Sequence, residues 1–156
     1  MKKYLKEMGA LINMDGDLLH LFDGTPGSVE FDPQLIWDLH KNSPGTIYAI
    51  CHTHPPGMTQ PSSIDKEMLK GWVYALHPFP IRIIVIAEDE GYIVETCYFA
   101  QIESKESWLA RNKATPREFK MFLEWHTHYN PEEKFPPYIE TLIDNSYEDN
   151  SKVIES

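Results

Sequence analysis

The sequence predicts an α/β fold, a mixed β-sheet flanked by helices, and three observations carry that reading. Strand-like and helix-like segments follow one another from residue 9 to residue 102 in the order hairpin, helix, strand, helix, strand. One of them, Ile81-Arg-Ile-Ile-Val-Ile-Ala87, is apolar almost without interruption, as in a strand covered on both faces. The chain has 156 residues, 42% of them apolar, which is enough for one packed core and too little for two ordinary domains. The expected layout is one domain over residues 1–129 followed by a tail, residues 130–156, with no internal repeat.

Each element has a local cause. Residues 9–22 place two apolar runs around Asp15-Gly16, a dipeptide suited to the positive backbone angles of a tight hairpin. Asn13, Asp15 and Asp17 alternate as in a calcium loop, but Leu18 takes the place of the required glycine and no glutamate closes the loop, so a turn is expected. Asp32-Pro33 supplies a cap and a first-turn proline for a helix to Asn42, with Leu35, Ile36 and Leu39 on one side. Residues 46–54 are rich in strand formers and stop at Pro55-Pro56-Gly57. Ser62 or Ser63 then caps a helix from Asp65 to about Leu76, the buried strand 81–87 comes next, and residues 92–102 form another strand after an Asp-Glu-Gly turn.

Beyond residue 102 the expectations are simpler. Residues 116–128 space Phe119, Phe122, Leu123 and Trp125 as an apolar helical stripe. Residues 130–156 hold seven acids against Lys134 and Lys152, half of the total charge of −10, together with Pro131, Pro136 and Pro137. That composition predicts an extended, partly mobile tail in which Tyr138, Ile139, Leu142 and Ile143 can dock locally or meet a partner.

Composition also excludes classes of function. A net charge of −10 argues against nucleic acid as a partner, because phosphate binding relies on a basic face. No run approaches the roughly 18 apolar residues of a membrane helix, and the apolar stretch behind the basic opening, Met8 to Ile12, is too short for an export signal. Cys51 and Cys97 are too few for a disulfide scaffold and read as buried free thiols, with one bridge between them as the other option. A cytoplasmic location is expected; oligomeric state is left open.

The chemistry lies in His52-Thr53-His54-Pro55-Pro56-Gly57 and the start of the next helix. Side chains two apart on a strand leave the same face, with α-carbons about 6 to 7 Å apart, so both imidazoles can converge on one ion. After ten intervening residues Asp65, in the first turn of the next helix, can bring a carboxylate to the same point. Two His and one carboxylate leave a fourth tetrahedral position open, as in a catalytic rather than a structural zinc site. Ser62-x-x-Asp65 also reads as a capping box, which accounts for the helix start but not for the histidines. The same tripeptide recurs at His126-Thr127-His128, where a helix would point the rings about 200° apart; surface or helix-end histidines are expected there.

This window resembles the JAMM (MPN+) zinc metalloprotease family in its minimal prokaryotic or viral form: His-x-His-Pro, a Ser-x-x-Asp after it, and one upstream glutamate. The resemblance covers residues 7 to about 102 and implies a three-layer arrangement like that of cytidine deaminases. It implies one Zn2+ per chain held by His52, His54 and Asp65, with the Ser62 hydroxyl near the reacting carbonyl and Ser63, one place out of register, helping to cap the helix. Glu7-Met-Gly-Ala10-Leu11-Ile12 resembles the family's Glu-x-x-Gly-Leu-Leu and makes Glu7 the general base; Glu30, on an expected short Val-Glu-Phe strand, is the alternative. The implied reaction is hydrolysis of an isopeptide or peptide bond at the C-terminus of a ubiquitin-like or sulfur-carrier protein. A peptidase for short cell-wall peptides and a non-catalytic scaffold of the same fold are the competing readings.

Overall fold

The computed structural model describes residues 2–77, 79–100, 106, 109, 110, 113, 115, 124–130 and 132–149. Its main sheet has six strands in the order β3-β2-β4-β5-β6-β7, formed by β2 (Met8–Ile12), β3 (Leu18–Asp23), β4 (Ala49–Thr53), β5 (Arg82–Asp89), β6 (Tyr92–Phe99) and β7 (Glu124–Tyr129). Only β4 and β5 run parallel, with His52 opposite Val85, and helix α2 (Ser63–Ala75) makes the crossover between them. The other neighbours in this sheet are antiparallel, as the mixed α/β expectation requires.

Local chemistry sets the boundaries. The β2–β3 hairpin turns at Gly16, at φ +82°, while Asn13 Oδ1 accepts from the amides of Asp15 and Asp17, so the Asn13 side chain organises the expected turn. Helix α1 (Pro33–Asn42) starts where Asp32 Oδ1 accepts from Gln34 N at 3.0 Å, with Pro33 in its first turn. Glu90 and Gly91, at φ 48° and 86°, form the tight turn between β5 and β6.

Alternation along the strands divides the core. Leu11, Ile50, Ile81 and Ile83 pack with Ile36 of α1 and with Leu69 and Val73 of α2. On the opposite side Ala10, Ile12, Ala49, Cys51, Ile84, Ile86 and Cys97 pack against helix α3 (Pro137–Ser146), making three layers. Cys51 and Cys97 are buried free thiols. Both lie opposite Ile84, so two strand spacings, about 9.5 Å, separate them, too far for a disulfide.

The structure corrects three expectations. The stretch read as an extended acidic tail is folded over Pro137–Asp149: Tyr138, Ile139, Leu142 and Ile143 are buried, the local docking that the sequence left open for them, and β8 (Tyr147–Asp149) pairs with β1 (Lys2–Tyr4), a strand the sequence did not announce. Charge counting misled because Glu140 and Asp144 fall on the outer face of an amphipathic helix whose inner face is apolar. Residues 116–123 of the expected 116–128 helix lie outside the described residues, but Glu124–Tyr129 is a strand, paired with β6 through His126 opposite Thr96. Ladder pairing with an exposed sheet edge outweighs a weak helical spacing, in a segment where Trp, Thr and Tyr favour strand. Finally, Val29-Glu30-Phe31 is irregular rather than a strand, and Glu30 is exposed. No helix among the described residues is long and apolar enough to cross a membrane.

Candidate metal centre

All five residues of β4 are buried, and their side chains alternate between two different environments. Ala49, Cys51 and Thr53 face α3, whereas Ile50 and His52 face α1 and α2, and His54 follows His52 on that side. The two histidines therefore emerge together at the C-terminal end of a central strand, with ring centroids 4.5 Å apart. Beyond β4 the chain stays tied to β5 through His54 N donating to Ile86 O at 2.9 Å and Gly57 N to Glu88 O at 2.7 Å. It then reverses at Gly57, at φ +86°, and enters α2.

The helix start and the metal-ligand geometry share one carboxylate. Ser62 is the N-cap: its Oγ accepts from Asp65 N at 3.1 Å, and its own N–H donates to Asp65 Oδ2 at 2.8 Å, completing a capping box. That box orients Asp65 so that Oδ1 stands 3.1 Å from His52 Nε2 and Oδ2 stands 3.1 Å from His54 Nε2. Ser63 is the first helical residue, and the capping role expected of it belongs to Ser62.

The donor set fits a cation. Met58 O can only accept, so the 3.0 Å contact to His54 Nδ1 places a hydrogen there and leaves the neutral ring's Nε2 lone pair facing a carboxylate oxygen that is itself only an acceptor. His52 Nε2 meets Oδ1 in distance, but neither of its ring nitrogens completes a hydrogen bond in direction, although the ring is buried. Lone pairs gathered in this way repel unless a proton or a metal ion lies among them. The candidate ligand atoms all lie within 4.8 Å of one another, and the 3.1 Å contacts approach the roughly 3.3 Å edge of a tetrahedron with 2.0–2.1 Å bonds. His52, His54 and Asp65 could thus hold a metal ion.

Without an ion the same atoms form an ion pair. Burial alone pushes the Asp65 carboxyl up, but the two imidazoles and the Ser62 amide hold it far below the usual carboxylate range. Burial also pulls His54 down, and the Asp65 carboxylate overrides it, raising the imidazole above its ordinary value.

Glu7 stands immediately before β2, the neighbouring strand, in the field of His52, His54 and Asp65. Gly9 of β2 lies opposite His52, and Glu7, two residues earlier, interacts electrostatically with His52, His54 and Asp65. It is only 8% exposed; burial raises its carboxyl, His52 and His54 pull it back, and Asp65 adds to the rise. Three hydrogen bonds fix the segment that carries it: Leu5 N donates to Ser146 O at 2.8 Å, Glu7 N to Thr25 O at 2.9 Å and Met8 N to Thr53 Oγ1 at 2.9 Å. Glu30, by contrast, is exposed in its loop. Ser62 is exposed at the rim, and because its capping bond uses an oxygen lone pair, its own hydroxyl hydrogen remains available to donate.

Sequence reading missed four supporting residues. Thr53 and Ser146 share a buried 2.7 Å hydrogen bond that joins the strand end to α3. Gly9 makes room for Phe31: a Cβ there would lie 2.7 Å from the Phe31 ring, which in turn stands edge-on to His52 at 6.1 Å. Thr53 had a visible signal, its place between the histidines; the others depend on contacts distant in sequence. Compared with models of known protein families and with curated proteins, the chain matches none.

Proposed function

We propose that the chain is a JAMM-type zinc-dependent amide hydrolase acting on an isopeptide or peptide bond at the C-terminus of a ubiquitin-like or sulfur-carrier protein. The observation that carries this reading is the convergence of His52 Nε2, His54 Nε2 and the Asp65 carboxylate at a strand end, with the buried Glu7 carboxyl in their field. Zinc bound by three protein ligands supplies Lewis acidity towards a carbonyl and lowers the pKa of water towards neutrality.

The chain's own groups supply the remaining steps. Glu7, whose carboxyl is raised by burial, accepts a proton from the attacking water on a carboxylate oxygen and returns it to the leaving nitrogen, a role worth about 10²- to 10⁴-fold. The Ser62 hydroxyl donates to the carbonyl oxygen as negative charge develops there, a contribution of about 10²-fold. Met58 O fixes the His54 tautomer that leaves Nε2 for the metal, and Phe31 limits water beside His52.

The test is metal analysis of the purified chain followed by cleavage assays on ubiquitin-like proteins carrying C-terminal extensions. About one zinc ion per chain and chelator-sensitive cleavage that Glu7→Gln abolishes with zinc retained are the expected results. A chain that purifies without zinc, and whose properties do not change on His52→Ala, is the scaffold of the competing reading instead.

A further inference from the structure

The second His-Thr-His tripeptide has its own geometry, because it lies on β7, the outer strand of the sheet. His126 is opposite Thr96 and His128 opposite Val94, so the two rings leave the same face, two residues apart. Both are exposed. The His126 ring is already oriented: its Nδ1 lies 3.0 Å from the hydroxyl of the buried Thr96. The Thr96 hydroxyl can accept from Nδ1–H, the tautomer, with the lone pair on Nε2, that a neighbouring hydrogen bond gives a metal-bound imidazole. The His128 ring stands edge-on to Tyr92, 6.3 Å between centroids.

We propose that His126 and His128 form a second metal site, a two-imidazole chelate for a divalent late first-row transition ion, independent of the His52 centre. Imidazole pairs suit nickel, copper and zinc. No carboxylate joins the pair among the described residues, which distinguishes it from the buried centre with its Asp65. Ion binding at this edge strand does not depend on amide hydrolysis at the other centre.

Equilibrium dialysis against Ni2+ tests it, with total nickel and zinc counted on the full-length wild-type chain and on variants. The decisive quantity is the difference between wild type and His126→Ala/His128→Ala, expected to be about one ion per chain whatever occupies the buried centre. Each single alanine variant converts a chelate into a lone ligand and is expected to weaken this site about a hundredfold. Thr96→Val, which keeps both rings but removes the orienting hydroxyl, is expected to weaken it about tenfold. Circular dichroism of each variant confirms the fold. An equal ion count in wild type and double variant overturns the proposal, as does full affinity in either single variant.

Discussion

The molecule contains the same tripeptide, His-Thr-His, in two places, and the two copies have different fates. His52-Thr53-His54 ends an interior strand with both rings buried, Phe31 edge-on to His52 and Asp65 arriving from α2. His126-Thr127-His128 sits on an edge strand with its rings exposed and the Thr96 hydroxyl as the oriented partner of one of them. Strand geometry alone makes each pair a potential chelate. The third ligand and the exclusion of water separate them, and both come from neighbouring elements. Even the middle threonines differ: Thr53 is fully buried and bonded to Met8 and Ser146, whereas Thr127 is only half-buried.

The largest expected effect breaks the comparison at the ligands. His52→Ala, His54→Ala or Asp65→Asn is expected to abolish tight zinc binding and amide hydrolysis, while His126→Ala/His128→Ala leaves both intact; atomic absorption and a cleavage assay read the outcome. Next, Glu7→Gln is expected to lower kcat by about 10²- to 10⁴-fold with zinc content unchanged, and Glu30→Gln to leave it at the wild-type level. The reverse pattern would assign the base to Glu30.

The middle position sharpens the contrast in stability. Thr53→Val leaves Met8 N–H and the Ser146 hydroxyl without their buried partner and is expected to cost about 1–3 kcal/mol by urea unfolding. Thr127→Val, on the edge strand, is expected to stay within about 0.5 kcal/mol.

The smallest effect concerns pH and the ion-free centre. Asp65 is lowered by folding, so its contribution is present above its unfolded value, about 3.9, and is lost as pH falls through the lower folded value. His54 is raised, so its contribution is complete below about 6.5 and is lost as pH rises through the higher folded value. The chelator-treated chain is therefore expected to gain most from this pair between about pH 4 and 6.5. Metal requires neutral imidazoles, so the Tm difference between zinc-loaded and chelated protein should widen as pH rises.

Much of the architecture was legible because its causes are local. Asp15-Gly16, Asp32-Pro33 and Ser62-x-x-Asp65 each specify a turn or a cap through neighbouring atoms, and all three occur in the structure. The centre itself was readable for the same reason: a two-residue period on β4 and a cap that aims Asp65 back towards it are short-range facts. The β7 strand was not readable, because its helical spacing is overruled by a sheet edge supplied by β6.

By itself, then, the sequence determined the hairpin, the starts of α1 and α2, the His-bearing strand and the candidate ligand set, since bonded neighbours and side-chain periodicity carry that information. Only the tertiary structure decided that the acidic C-terminal stretch closes the third layer, that Ser146 and Thr53 anchor the segment bearing Glu7, and that the second histidine pair shares one face. Those outcomes depend on which surfaces meet across long stretches of chain. Burial of the α3 stripe and completion of the β6 ladder stabilise the fold by contacts that composition and local pattern do not encode.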